Sequence, residues 1–129
     1  MKARFLVAAF ATLGLAAPAL ADTPAKTNVH ANCFLSQDWS NWRGSGPSTI
    51  YIRVHVHDYF KVELSSPSSM VTDPSNHLVS QVRGTPWICS PLDLDLKVSD
   101  GHVTEPLFVK SLTKLTPEQV AAIPPKDKP

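Results

Sequence analysis

Thr49-Ile50-Tyr51-Ile52-Arg53-Val54-His55-Val56-His57-Asp58-Tyr59-Phe60-Lys61-Val62-Glu63-Leu64 alternates apolar and polar side chains with a period of two. Ile50, Ile52, Val54, Val56, Phe60, Val62 and Leu64 fall on one parity; Tyr51, Arg53, His55, Lys61 and Glu63 fall on the other. Successive side chains of a strand point to opposite faces, so this pattern marks half-buried β-structure. The stretch exceeds one ordinary strand, which averages about five or six residues. Parity is unchanged across His57-Asp58-Tyr59, as a three-residue hairpin loop requires. The predicted register sets Val56 opposite Phe60, Val54 opposite Val62 and Ile52 opposite Leu64 on the buried face. Arg53 then faces Glu63 as a cross-strand ion pair. Tyr59 stands where such loops usually place glycine.

A second hairpin is signalled further on, where Leu92, Leu94, Leu96 and Val98 run into Asp100-Gly101, a dipeptide that favours a two-residue turn. That turn would face Val98 with Val103, Leu94 with Leu107 and Leu92 with Val109. Glu105, opposite Leu96, and Pro106 interrupt the pattern and call for a bulge or a sheet edge. Between the hairpins, Ser65 to Ser69 and Asp73 to Asn76 form polar turns, and His77 to Arg83 resumes as a short strand. Trp87-Ile88-Cys89 reads as a brief buried strand. Gln37 to Pro47, with Trp39, Trp42 and Arg43-Gly44-Ser45-Gly46-Pro47, reads as a loop. Near the carboxyl end, Thr116 is placed as an N-cap, Pro117 at the first helical position and Gln119 to complete a capping box. Leu115 and Val120 sit where a hydrophobic staple would put them. Pro124 and Pro125 end this helix after about two turns, and residues 124–129 are expected to be disordered.

The amino terminus has the three-part plan of a secretory signal: Lys2 and Arg4, an apolar run from Phe5 to Leu15, and small residues around Ala19-Leu20-Ala21. Residues 1–21 are expected to be removed, 22–29 to form a flexible lead-in, and 30–123 to form a single β-rich domain. Gly14 and Pro18 interrupt the apolar run, and Asp22 follows at once, so a membrane span of about 20 apolar residues is not available. Cleavage leaves 108 of the 129 residues, enough for one modest core. Two of the 12 Lys and Arg leave with the signal, so ten face 11 Asp and Glu. Without a clustered positive excess, nucleic acid is a poor partner.

Cys33 and Cys89 belong to no C-x-x-C or zinc-module spacing, and an exported chain meets an oxidising compartment. They are expected to pair. Closing a loop of about 57 residues would contribute about 4 kcal/mol in the chain-entropy model.

His55 and His57 form an H-x-H whose side chains, on one continuous strand, would share a face with Cα atoms about 6.6 Å apart, close enough to chelate a metal. A third ligand would come from His30, Asp58, His77, Asp93, Asp95 or His102, none at a diagnostic spacing. The simpler reading puts both histidines on the polar face or in the turn. Asp93 and Asp95 alternate onto one face, but adjacent carboxylates on a hairpin are usually solvated surface. Arg43-Gly44-Ser45-Gly46 lacks the lysine and the length of a phosphate loop. Trp39, Trp42, Tyr51 and Tyr59 are candidates for an aromatic binding surface, because such side chains are favoured at recognition sites. No cofactor motif and no singled-out nucleophile is present.

Through Cys33-Phe34, Tyr51-Ile52-Arg53-Val54, Trp87-Ile88-Cys89 and Lys114-Leu115-Thr116-Pro117-Glu118, the chain resembles a family of small secreted bacterial proteins of unknown function. The likeness runs from about Ala31 to Ile123. It implies export, the pairing of the two cysteines and the short terminal helix, and carries no activity with it.

The expectation is thus a mainly β protein: a small antiparallel sheet or partly open barrel of five to seven strands with one disulfide and a short C-terminal helix. It would be periplasmic or secreted, and would act without catalysis by binding an envelope protein or ligand. The alternative is a metal-binding protein or small metal-dependent hydrolase built on His55 and His57.

Overall fold

The computed structural model describes residues 30–129, so the expected signal segment and lead-in lie outside the described residues. The fold is mainly β, with nine short strands in three antiparallel sheets, one α-helix and a Cys33–Cys89 disulfide among the described residues. The strands are β1 (Phe34–Leu35), β2 (Trp39–Gly44), β3 (Thr49–Val54), β4 (Asp58–Leu64), β5 (His77–Gln81), β6 (Trp87–Ile88), β7 (Asp95–Ser99), β8 (Thr104–Leu107) and β9 (Val109–Lys114); the helix is α1 (Pro117–Ala121). One sheet has the order β2-β3-β4-β9, a second has β5-β7-β8, and β1 pairs with β6. Among the described residues no closed barrel forms. No helix among the described residues is long and apolar enough to cross a membrane.

The alternation through Thr49–Leu64 builds the hairpin β3–β4 with its predicted parity and a different turn. Ile52 lies opposite Phe60, Ile50 opposite Val62 and Val54 opposite Asp58, so the loop is His55-Val56-His57, two residues earlier than expected. Val56 is 69% exposed at its tip instead of buried. The physical reason is the residue that takes positive φ. His55 does so, at 53°, and histidine enters the left-handed region more readily than most side chains, whereas Tyr59 stays in a strand that suits an aromatic ring. Moving the loop by two residues keeps the parity, so Ile50, Ile52, Val54, Phe60, Val62 and Leu64 stay buried and Val56 leaves the core. The Arg53–Glu63 pair is lost, and Glu63 instead meets Lys61 at 2.8 Å and accepts from Ser111 Oγ at 2.8 Å.

The second hairpin is also displaced, by a loop that widens from two residues to four and shifts each partner by two. Leu96 faces Leu107 and Val98 faces Glu105, which leaves a four-residue loop, Asp100–Val103. Here side chains capture the turn amides: Asp100 Oδ1 accepts from the His102 and Val103 N–H groups at 2.8 and 2.7 Å, and Ser99 Oγ accepts from Gly101 N–H at 3.2 Å. This capped loop supersedes the tighter two-residue turn. Leu92 does not reach Val109; it lies in a 3-10 turn and is 93% exposed. Strand β8 is an edge of its sheet, where Pro106 is tolerated.

The two larger sheets share one core. Ile50, Ile52, Val54, Phe60, Val62 and Leu64 enter from the four-stranded sheet, Leu96, Val98 and Leu107 from the three-stranded one. Phe34 and Ile88 bring the β1–β6 pair into the same cluster, with the Phe34 and Phe60 rings 4.7 Å apart. Val71, from the turn Ser69–Thr72, completes one end.

Gln37 to Pro47, expected as a loop, contains strand β2. Trp39 and Trp42 are three positions apart, which breaks a period-two pattern, but a bulge between Trp39 and Asn41 restores it. Trp39 lies opposite Val54 and Trp42 opposite Ile52, so both indoles share the core-facing side. Gly44 follows where the chain touches the Ser69–Thr72 turn; a Cβ there would lie 1.9 Å from the Val71 carbonyl oxygen.

Helix α1 carries the predicted capping box: Thr116 Oγ1 accepts from Gln119 N–H at 3.3 Å and Gln119 Oε1 accepts from Thr116 N–H at 2.9 Å. The segment after it is not disordered. Pro125–Asp127 forms a 3-10 turn, Ile123 and Asp127 are buried, and Ser45 Oγ donates to Asp127 Oδ2 at 2.9 Å. Its proline content supplies the reason, since prolines lose little conformational freedom when they dock. This segment covers part of the outer face of the four-stranded sheet.

Candidate functional site

Strand β2 is one edge of the four-stranded sheet and β5 is one edge of the three-stranded sheet. On the opposite side of the molecule, β8 runs on through Phe108 into β9, so the chain itself joins the sheets. The β2 and β5 edges have no ladder between them among the described residues, and a groove of about 510 Å³ opens there. Its first wall is Ser36, Gln37, Trp39, Ser40, Asn41 and Trp42; the second is Leu78, Val79, Ser80 and Val82. The bulge in β2 sets the first wall, because it brings both indoles to one side. Each tryptophan packs partly on the core and presents the remainder to the groove.

Hydrogen bonds hold the first wall in place. Ser40 Oγ donates toward the Arg53 and His55 carbonyls, at 3.1 and 3.2 Å, and Asn41 Oδ1 accepts from Trp42 N–H at 2.8 Å. On the second wall, the Ser80 hydroxyl oxygen is buried and has no hydrogen-bond partner among the described residues. None of the ten lining residues carries a titratable side chain.

Tyr51 and Tyr59 do not join this surface. They lie on the outer face of the four-stranded sheet, beneath the carboxyl-terminal segment. Tyr51 lines a small cleft with Lys61 and Ile123, and Tyr59 lines another with His57, Leu115 and Val120, with Lys128 Nζ 5.8 Å from the Tyr59 ring centre. The four aromatic residues therefore divide between two faces, as strand alternation dictates once β2 is recognised as a strand.

His55 and His57 flank the turn instead of sharing a strand face. His55 Nε2 lies 3.1 Å from Asp38 Oδ2 and the His55 backbone N–H donates to the Asp38 carbonyl at 3.1 Å, so Asp38 braces the turn. Among the described residues, the one group of three possible ligands within 4.8 Å of one another is His30, Cys33 and Cys89, and its two sulfurs are joined in the disulfide. Neither His55 nor His57 belongs to such a group. The His30 ring stacks on Trp87 at 4.1 Å beside this disulfide, which ties the start of β1 to the end of β6.

Asp93 and Asp95 are likewise separated. Asp93 Oδ2 accepts from the N–H groups of Cys89 and Ser90 at 3.0 and 2.8 Å and from Ser90 Oγ. The Cys89 amide foremost among these donors holds the carboxyl below the usual aspartate range. Asp95 pairs with Arg83 through two contacts, at 2.9 and 2.7 Å. Both carboxylates are engaged in holding local structure.

The sequence pattern alone does not mark the second wall. Val79 and Val82 are apolar yet exposed, and that departure from a buried-face pattern is the signal that marks it. No family model matches the chain, and neither the curated proteins nor the solved structures yield a match.

Proposed function

We propose that this protein is an exported, non-enzymatic binding module of the cell envelope, periplasmic or secreted, that engages its ligand in the groove between β2 and β5. The observation that carries this reading is the composition of the groove: two partly exposed tryptophans facing Leu78 and Val79, with no titratable group to act as acid or base. Concave sites that mix aromatic and apolar surface with a few polar groups are where ligands bind. Export is supported by the arrangement of residues 1–21 and by the disulfide, which persists in oxidising compartments.

Fractionation followed by amino-terminal sequencing tests the location: the expected product is an envelope or secreted protein starting at Asp22. Retention of partners from the envelope fraction by the mature protein, compared with its Trp42→Ala variant, tests the surface. Trp42-dependent retention supports the reading; equal retention by both proteins, or by neither, overturns it.

A further inference from the structure

We propose that the groove between β2 and β5 recognises an uncharged saccharide, an inference that rests on reading this groove as the binding surface. Its wall chemistry narrows the ligand class. No Lys, Arg, His, Asp or Glu lines it, so there is no counter-charge for a phosphate, carboxylate or ammonium group, and the electrically neutral lining matches an electrically neutral ligand. A purely apolar ligand fits poorly as well, because Ser36, Gln37, Asn41 and Ser80 alternate with the apolar groups along the walls. Apolar indole surface beside amides and hydroxyls suits a molecule that has both faces of C–H groups and rims of hydroxyls, and a sugar ring is such a molecule.

A second observation points the same way. The Ser80 oxygen is buried at the groove with no partner among the described residues, although a buried hydroxyl left unpaired is costly. A turn about the Ser80 Cα–Cβ bond toward the groove would let a ligand hydroxyl satisfy it. An added peptide strand is the competing occupant, since both walls are sheet edges. The bulge between Trp39 and Asn41 breaks the even ladder spacing on β2, a device that blunts an edge against strand pairing. The groove volume of about 510 Å³ accommodates about two or three sugar units in an open site.

The test titrates the mature, disulfide-bonded protein with maltotriose, cellotriose and triacetylchitotriose, following tryptophan emission and heat, with trigalacturonate as a charged control. Saturable binding of at least one neutral trimer and much weaker binding of the charged one is the expected result. Trp42→Ala should weaken binding about tenfold or more. Because Trp42 also touches the core, Ser80→Ala provides the second variant. Removing an unpaired buried hydroxyl should leave the melting temperature unchanged or raised, and yet weaken saccharide binding about tenfold. Equal binding of trigalacturonate, full affinity in Ser80→Ala, or no neutral trimer bound at about 10 mM overturns the saccharide proposal. In the last case, Trp42-dependent retention of an envelope polypeptide would leave the binding-module reading standing, and its absence would remove both.

Discussion

The hydroxyl of Ser45 donates to the carboxylate of Asp127 at 2.9 Å, joining two residues 82 positions apart and fastening the carboxyl-terminal segment to the turn after β2. Lys126 Nζ lies 2.9 Å from the other carboxylate oxygen. The Lys126 ammonium first, and the Ser45 hydroxyl second, hold the Asp127 carboxyl below its ordinary range. A carboxylate lowered on folding contributes stability above its unfolded pKa, near 3.9, and loses it as pH falls through the folded value. Glu63, Asp73, Asp93, Asp100 and Glu118 are lowered too, each by hydrogen bonds to nearby groups. Stability should therefore hold from neutral pH down to about pH 4 and fall steeply below it. Asp127→Asn should melt earlier than the parent at pH 7 and approach it near pH 2. Parallel curves at both pH values would refute the role of this carboxylate.

Gly44→Ala should destabilise by about 2 kcal/mol or more, because its Cβ would overlap the Val71 carbonyl and both neighbours are backbone. Urea denaturation measures it. Gly46→Ala provides the contrast: nothing lies near its Cβ position, so its cost would come from φ at 73° alone.

Substitutions at His55 separate two contributions to the turn. His55→Gly keeps the left-handed backbone and loses the Asp38 partner, whereas His55→Val loses both. The valine variant should be less stable by about 1–2 kcal/mol more than the glycine variant. Equal stabilities would place the turn elsewhere. His55→Gly, which keeps the backbone carbonyl that accepts from Ser40 Oγ, should leave ligand retention unchanged, since the His55 side chain does not line the groove between β2 and β5.

Thr116→Ala removes the N-cap of α1 and should cost about 1 kcal/mol in chemical denaturation. Thr116→Ser preserves the acceptor and should cost much less. Similar losses in both variants would mean that the capping box contributes nothing.

Replacing both Cys33 and Cys89 by serine should lower stability by about 4 kcal/mol, the chain-entropy value for a loop of this length. The groove walls contain neither residue, so a variant that still folds in the cold should keep Trp42-dependent retention.

The buried face of β3 and β4 was legible because period two depends on parity alone, and a loop moved by two residues, which shifts each partner by four, leaves Ile50, Ile52, Phe60 and Val62 inside. The turns were harder to read. His55 and the Asp100 carboxylate each offer a local solution that competes with the more familiar turn dipeptides, and both hairpins took it. The capping box of α1 was visible because every participant lies within four residues. The groove was only half visible. Trp39 and Trp42 stood out by type, but their shared side depends on a bulge that no local pattern announces, and Ser80 joins them only through the tertiary meeting of two sheet edges.

Cys33 and Cys89 also close a macrocycle that includes Ser36 and Val82, and with them every residue of both groove walls; β7, β8, β9 and α1 lie outside it. One cut in the backbone anywhere between the two cysteines would leave the walls on a single covalent piece. Proteolysis can separate the two halves of the groove only after the disulfide has been reduced or a second cut has been made.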